Sequence, residues 1–329
     1  MIRRSSGRRL IVVVSTAASI AFCLLSVPVA QNTQRSAKVH RIGVLATRMP
    51  ERLRESLREL GYMEGRNAVL EVRETEGRAD RVDDLARELA RLKVDVIVAT
   101  YPAAVLAAKR TTTTIPIVMV NNPDPVHLGL VASLARPGGN ITGTTSLSVD
   151  VSLKQLQILK ETVSRISWIT VMWNPDNPWH PATVKALHGE SRSLGVQVHA
   201  LPVRHPEEFD NAFEAMTKER AQAILILADP MTFFHRKRLA DLAIKHRLPL
   251  MGGLREYTEA GGLMSYWADE TEQHRNVARY VDKILKGAKP GELPIEQPSK
   301  YELVINLKTA RALSLTMPQA LLLRASVIE

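Results

Sequence analysis

The chain has 329 residues, 45% of them hydrophobic and 24% charged, with a formal net charge of +10. That length accommodates two domains or one large α/β domain, and the composition excludes a disordered chain. A basic balance suggests nucleic acid first, but Arg3, Arg4, Arg8 and Arg9 lie in the first ten residues, no acid precedes Glu51, and later charges alternate in sign, as in Glu51-Arg52-Leu53-Arg54-Glu55. With no basic stripe and only 5% aromatics for stacking, the surface reads as mixed and solvated, and no nucleic-acid partner is expected.

Residues 1–30 have the build of a secretory signal. A positive segment ends at Arg9, an apolar stretch runs from Leu10 to Leu25, and small residues lead to Ala30, the expected cleavage point. The same stretch is long enough for an uncleaved anchor. Arg8-Arg9-Leu10-Ile11-Val12 loosely resembles a twin-arginine signal. The single cysteine, Cys23, follows Phe22 rather than the small residue that lipid attachment needs. A cleaved chain has no thiol, hence no disulfide, zinc–cysteine site or cysteine nucleophile. Residues 31–39 read as a linker, and the mature protein is expected in the periplasm.

From Arg41 the pattern alternates between strand and helix. Arg41–Ala46 is a short apolar run, and Pro50 opens a helix that ends at Gly61. Ala68–Thr75 alternates as a strand. Asp80–Leu92 places Val82, Leu85, Ala86, Leu89 and Ala90 at helical spacing. Val94–Ala99 and Ile115–Val120 are continuous β-branched runs, as in parallel strands buried on both faces, with a helix over Ala103–Arg110 between them. Val126–Leu134 reads as a helix and Ile141–Ser146 as a strand. The alternation then restarts. Helices are expected at Ser152–Val163, Ala182–Leu194, from Pro206, and at Phe233–His246. Strands are expected at Ile166–Trp173, Val196–Val203, Ala223–Ala228, Leu248–Met251 and Gly262–Trp267. A long helix ends at Gly287, a Pro-rich connection spans Gly287–Ser299, and Tyr301–Asn306 is a last strand before a mostly helical tail. Two such runs imply an α/β protein of two doubly wound parallel-sheet lobes joined by a hinge, with the first switch near Ser146.

Ligands of open parallel sheets bind outside the carboxyl ends of the strands, so the residues following each strand are the candidates. In the first lobe these are Thr47, Thr100, Tyr101, Asn122, Asp124 and Thr145. In the second they are Asn174, Asn177 and Asp229, with Tyr266 and Trp267 at the end of a later strand. Each short polar residue has a second reading as a helix cap. Helix N-termini favour a carboxylate, and Asp124 and Asp229 offer negative charge to an amine, so the set points to a zwitterionic small molecule. Trp173 and Trp267 end strands and so are placed to face a cleft, whereas Trp168 suits the core. No Gly-x-Gly-x-x-Gly turn, Walker loop or Gly-x-Ser-x-Gly elbow occurs. The nine histidines are scattered, with surface or capping roles expected for them and no metal site.

Several blocks form an ordered set. They are Gly61-Tyr62-Met63-Glu64-Gly65-Arg66-Asn67, Thr111 through Val118, and the long run from Asp124-Pro125-Val126-His127 through Arg136-Pro137-Gly138-Gly139-Asn140-Ile141-Thr142-Gly143. Asn174-Pro175-Asp176-Asn177-Pro178, Ala228-Asp229-Pro230, Gly261 through Tyr266 and Tyr301 through Ala310 complete it. Together they resemble the ABC transporter substrate-binding protein family that includes tryptophan- and tyrosine-type uptake proteins, over nearly all of residues 40–329. The resemblance implies a type I periplasmic-binding-protein fold whose lobes close on a ligand, with three crossings near Ser146, Trp267 and Leu303. The implied division is 40–146 plus 268–303 for one lobe and 147–267 plus 304–329 for the other. It also implies an ABC permease in the inner membrane as partner, a monomer, no cofactor and no catalysis. The chain departs from typical members in a shorter segment between the first strand and Gly61, and in Tyr101 and Trp267, where many relatives have glycine. A ligand sensor signalling to a membrane partner, or an exported α/β enzyme, are the alternative functions; a DNA-binding regulator would need a helix-turn-helix where the signal sequence stands.

Overall fold

The computed structural model describes residues 38–163 and 166–329; the expected signal sequence and most of the expected linker lie outside the described residues. The first lobe starts with β1 (His40–Ala46), α1 (Glu51–Glu59), β2 (Ala68–Glu74), α2 (Val82–Arg91), β3 (Val96–Ala99), α3 (Pro102–Thr111), β4 (Ile117–Pro123) and β5 (Ile141–Ser146). The chain then crosses to the second lobe and forms α4 (Ser148–Thr162), β6 (Trp168–Trp173), α5 (His180–Ser193), β7 (Gln197–Pro202), α6 (Phe209–Lys218) and β8 (Ala223–Ile226). That lobe continues with α7 (Pro230–Phe234), α8 (Arg236–Lys245), β9 (Leu250–Gly252), α9 (Arg255–Glu259) and β10 (Met264–Ala268). Helix α10 (Glu270–Leu285) returns to pack on α1, β4 and β5. β11 (Tyr301–Asn306), α11 (Leu307–Ala312), α12 (Gln319–Leu322) and β12 (Ser326–Ile328) finish the second lobe. Among the described residues no helix is long and apolar enough to cross a membrane.

The first sheet has the order β2-β1-β3-β4-β5 and is parallel throughout. The second runs β12-β11-β10-β9-β8-β6-β7, and its stretch from β7 to β10 is parallel and repeats the winding of the first. The continuous apolar runs follow from helices on both faces. In β3, Ile97 and Ala99 pack toward α2 and α3, while Val96 and Val98 pack toward α1 and α10. In β8, Ala223 and Leu225 face α4 and α5, while Ile224 and Ile226 face α6 and α8. Burying each Val, Leu or Ile stabilises the fold by about 1.5–3 kcal/mol.

The structure departs from the sequence reading in four places. Val126–Leu134 is a chain of turns rather than a helix. Gly129 sits at φ +61°, a conformation no helix residue takes, and Leu130 and Val131 both donate backbone N–H groups to the Pro125 carbonyl. The helix expected over Phe233–His246 breaks at His235, which ends α7 and caps α8. The second sheet is not wholly parallel, because β11 runs antiparallel to β10 and the tail adds β12 beside it. β11 pairs with β10 from Tyr301 to Ile305, with Leu303 opposite Tyr266, so residues 301–303 belong to the second sheet and the third crossing comes before Tyr301. The second and third crossings are tied together where the Asp269 N–H donates to the Lys300 carbonyl at 2.9 Å.

One glycine is dictated by backbone approach. Gly143 in β5 has φ +128°, and a Cβ there would lie 2.2 Å from the Met119 carbonyl oxygen, beside the register shift in β4 between Met119 and Asn122. Combining left-handed strain with a backbone clash, Gly143→Ala should destabilise the protein by about 3 kcal/mol. Urea unfolding should show a clearly lower midpoint; an unchanged midpoint would mean that β4 shifts to admit the methyl group.

Candidate functional site

The carboxyl ends of both sheets open onto one cleft with a cavity of about 430 Å³. The first lobe contributes the turn after β1 and the start of α1 (Thr47, Arg48, Arg52), Thr100 and Tyr101 after β3, Asn121 at the β4 bulge, Ser146, and the first turns of α10 (Glu270, Gln273, His274). The second lobe contributes Asn177, Trp179 and His180 before and within α5, Asp229 at the start of α7, and Phe233, Arg236, Glu256, Tyr257 and Trp267. The lobes touch along one rim. A Cβ on Gly77, at φ +80°, would lie 3.0 Å from the Phe234 Cβ and 3.3 Å from the Pro230 carbonyl oxygen, and the Arg48 guanidinium lies 5.7 Å above the Phe234 ring. The cleft is shut on that side.

Asp229 is a nearly buried carboxylate in the wall, with 7% of its surface exposed. It is the N-cap of α7, where its Oδ1 accepts the Met231 N–H at 2.9 Å. Its Oδ2 accepts amide N–H groups from Asn177 at 3.1 Å and Asn174 at 3.3 Å. Those amides are oriented in turn, because the Asn174 Oδ1 accepts the Asp176 N–H and the Asn177 Oδ1 accepts the Trp179 N–H. His180 ties the ends of β6 and β8 together. Its Nδ1 accepts the Asn174 N–H at 2.9 Å, which leaves Nε2 to donate to the Ala228 carbonyl at 3.2 Å. Burial lowers its pKa, against the opposing charge of Asp229, and the neutral ring matches this tautomer. His180 is thus a buried support of the cleft wall, not the surface or capping residue that its isolation in the sequence suggests. Across the gap, the Tyr101 hydroxyl donates to the Thr75 Oγ1 at 3.1 Å, and burial pushes its pKa up to about 12.

The opposite end of the cleft is built around the start of α10. The Gln273 amide donates to the Asn121 Oδ1 at 3.2 Å, and its Oε1 accepts the Thr144 hydroxyl at 3.3 Å. The His274 Nδ1 donates to the Glu270 carbonyl at 2.8 Å, and burial lowers its pKa to about 4. Burial, reinforced by the charges of Glu256, Glu259 and Glu302 and opposed by Arg52, pushes the Glu270 carboxyl up to about 8. Burial also raises Glu256, whose Oε2 is enclosed without a hydrogen-bond partner. Two guanidiniums stand nearby on neutral partners: Arg52 donates to the Thr271 Oγ1 at 2.8 Å and Arg236 to the Phe233 carbonyl at 2.9 Å.

Six of the candidates from the sequence line this cleft: Thr47, Thr100, Tyr101, Asn177, Asp229 and Trp267. Asn174 stands behind the wall and holds Asp229. Asn122 and Thr145 do not reach the cavity. The β4 bulge turns Asn121 toward it and Asn122 into the sheet, where the Asn122 carbonyl accepts the Thr145 hydroxyl at 2.7 Å. Asp124 caps an exposed turn, accepting the His127 N–H at 3.1 Å, so the expected pair of carboxylates facing each other across the gap is not formed. Tyr266 lies on the other face of β10 from Trp267, as strand alternation requires, and stacks on Tyr301 at 5.8 Å. Trp173 packs in the second-lobe core rather than in the cleft. Gln273 and His274 escaped the sequence reading because they sit inside α10, and Arg236 and Glu256 because they open helices several residues after the preceding strand; Glu270, the first residue of α10 and two residues past β10, was simply passed over. No group of three or more His, Asp or Glu able to hold a metal occurs among the described residues.

The raised Glu270 has a measurable consequence. The unfolded chain ionises a glutamate near its ordinary value, whereas the folded chain keeps the Glu270 proton to about 8. Its contribution to stability is therefore complete at low pH and is lost as pH rises from about 4.3 to 8. A neutral Gln makes no such change. Glu270→Gln should melt at higher temperature than the parent at pH 8, with the gap shrinking toward pH 4.5 in thermal scans. A gap that does not change with pH would contradict a carboxyl held protonated in the fold.

Comparison with known proteins agrees with this architecture. Residues 46–328 match the family model for ABC transporter substrate binding protein. A protein from Clostridioides difficile named tyrosine-binding protein is 24% identical over 262 residues, covering 79% of this chain and 75% of that one. A solved conserved domain protein from Vibrio cholerae superposes with a TM-score of 0.81 at 26% identity, covering 89% of this chain and all of that one. An ABC domain from Streptococcus pneumoniae, solved in complex with L-Trp, has a TM-score of 0.81 at 23% identity and covers 88% of this chain and all of the other. The architecture is the type I periplasmic-binding-protein fold. With the family model matched from the end of β1 to the last strand, the chain belongs to the ABC transporter substrate-binding protein family.

Proposed function

We propose that this chain is the periplasmic, ligand-capturing component of an ABC importer, that it binds an amino acid with an aromatic side chain, and that it works as a monomer delivering its ligand to an inner-membrane permease. The observation that carries the ligand reading is Asp229. It is nearly buried, takes three N–H donors from its own lobe, and still lines the cavity. An ammonium group satisfies the remaining acceptor capacity of such a carboxylate with charge-assisted hydrogen bonds. Tyr101 and Trp267, one from each lobe, together with Trp179 and Phe233, provide aromatic surface around it. The Clostridioides difficile relative, named for tyrosine, and the Streptococcus pneumoniae structure with L-Trp support the same ligand class. Export is supported by the arginine cluster and apolar run of residues 1–30, and permease delivery by family membership.

A thermal-shift screen of the L-amino acids tests this reading, since a ligand that binds only the folded state raises the melting temperature. Tryptophan, tyrosine or phenylalanine should give the largest shift. Calorimetry on Asp229→Asn should then show a loss of about 1.5–3 kcal/mol, roughly tenfold to over a hundredfold in affinity. Unchanged affinity in a folded variant would reduce Asp229 to a helix cap.

A further inference from the structure

Charged side chains on α8 illustrate two different fates. Lys237 pairs with Asp241, and Arg238 pairs with Asp210, both on the exposed side of the lobe. Arg236, one position earlier, lines the cleft and makes no ion pair among the described residues. Its guanidinium carbon lies 4.6 Å over the Phe233 ring, and one N–H donates to the Phe233 carbonyl at 2.9 Å. Stacking and a backbone bond fix the plane of a guanidinium while using one of its five donors. A partly buried cation so fixed, with free donors facing a cavity, is arranged for an anion that the protein itself does not supply.

Arg236 and Asp229 bracket α7. Asp229 caps its start and Arg236 follows its end. Both groups line the same cavity of the cleft.

We infer that Arg236 is the carboxylate-binding residue of the cleft, so that the second lobe alone grips both charged groups of a free α-amino acid, ammonium on Asp229 and carboxylate on Arg236. The inference rests on the amino-acid reading above and narrows it: ligands lacking a free α-carboxylate are discriminated against by one named side chain. The nearest competing role for Arg236 is as a counter-charge to Glu256, whose carboxyl it also influences.

Calorimetry with L-tyrosine, L-tryptophan and their C-terminal amides separates these roles. For the parent protein, each free acid should bind about tenfold to a hundredfold more tightly than its amide. Arg236→Gln should weaken the acid to the level of the amide and leave the amide almost unaffected. Arg238→Gln, which also removes a guanidinium from α8, should change neither, and melting curves confirm that both variants are folded. If Arg236→Gln weakens acid and amide alike, the residue acts through the wall and the inference is overturned. It is equally overturned if the parent binds amide and acid with one affinity, while the amino-acid reading survives. If no amino acid binds the parent, both fall.

Discussion

A carboxylate withdrawn from water needs donors, and Asp229 takes three of them from its own lobe: a backbone N–H on α7 and two asparagine amides from the loop after β6. Those donors restrict where β6, β8 and their loops can lie. His180 closes the restriction by bonding to backbone of both loops, and burial keeps it neutral so that one nitrogen accepts and the other donates. The Asn174-Pro175-Asp176-Asn177-Pro178 loop is therefore a rigid cradle for a charge, not a flexible connection. Much of the second-lobe wall follows from that one desolvated group.

The first lobe brings a different chemistry to the same gap. Its wall is largely made by Tyr101, the Asn121–Gln273–Thr144 chain and the start of α10. Because α10 follows the second crossing and packs on the first lobe, Glu270 and His274 stand beside a hinge. Burial there raises the Glu270 carboxyl and lowers the His274 ring. Contact between Gly77 and α7 shuts one rim. A ligand touching both walls shifts the balance of open and shut forms by its differential affinity for them and by nothing else.

Much of the framework was legible in the sequence. Continuous apolar strands, helical stripes and stop signals at Gly61, Gly195 and Gly287 place most elements, and the repeat of the pattern after Ser146 reveals two windings. The turn from Val126 to Leu134 was misread because its apolar residues keep helical spacing while Gly129 bends the backbone out of the helix. The antiparallel β11 was hidden because pairing direction leaves no mark on a short apolar run. At the site, reading residues just after each strand found Asp229, Asn177 and Tyr101, since strand ends face the cleft by topology. The same rule failed at Asn122 and Thr145, where a bulge rotates the chain, and at Asp124, which lies beyond it in an exposed turn. Arg236 carried no signal, because a charge on a helix ordinarily faces water and only the packing of the lobes puts it in a cavity, whereas Glu270, two residues past β10, falls under the same strand-end rule and was passed over.

The central claim is that two independently wound lobes form one ligand trap across thin crossings. Small-angle scattering of the monomer, without and with saturating tryptophan or tyrosine, tests it directly. The account predicts a smaller radius of gyration with ligand than without. A scattering curve from an open free protein that stays unchanged while calorimetry shows the ligand bound would contradict closure and leave a rigid binding module in its place.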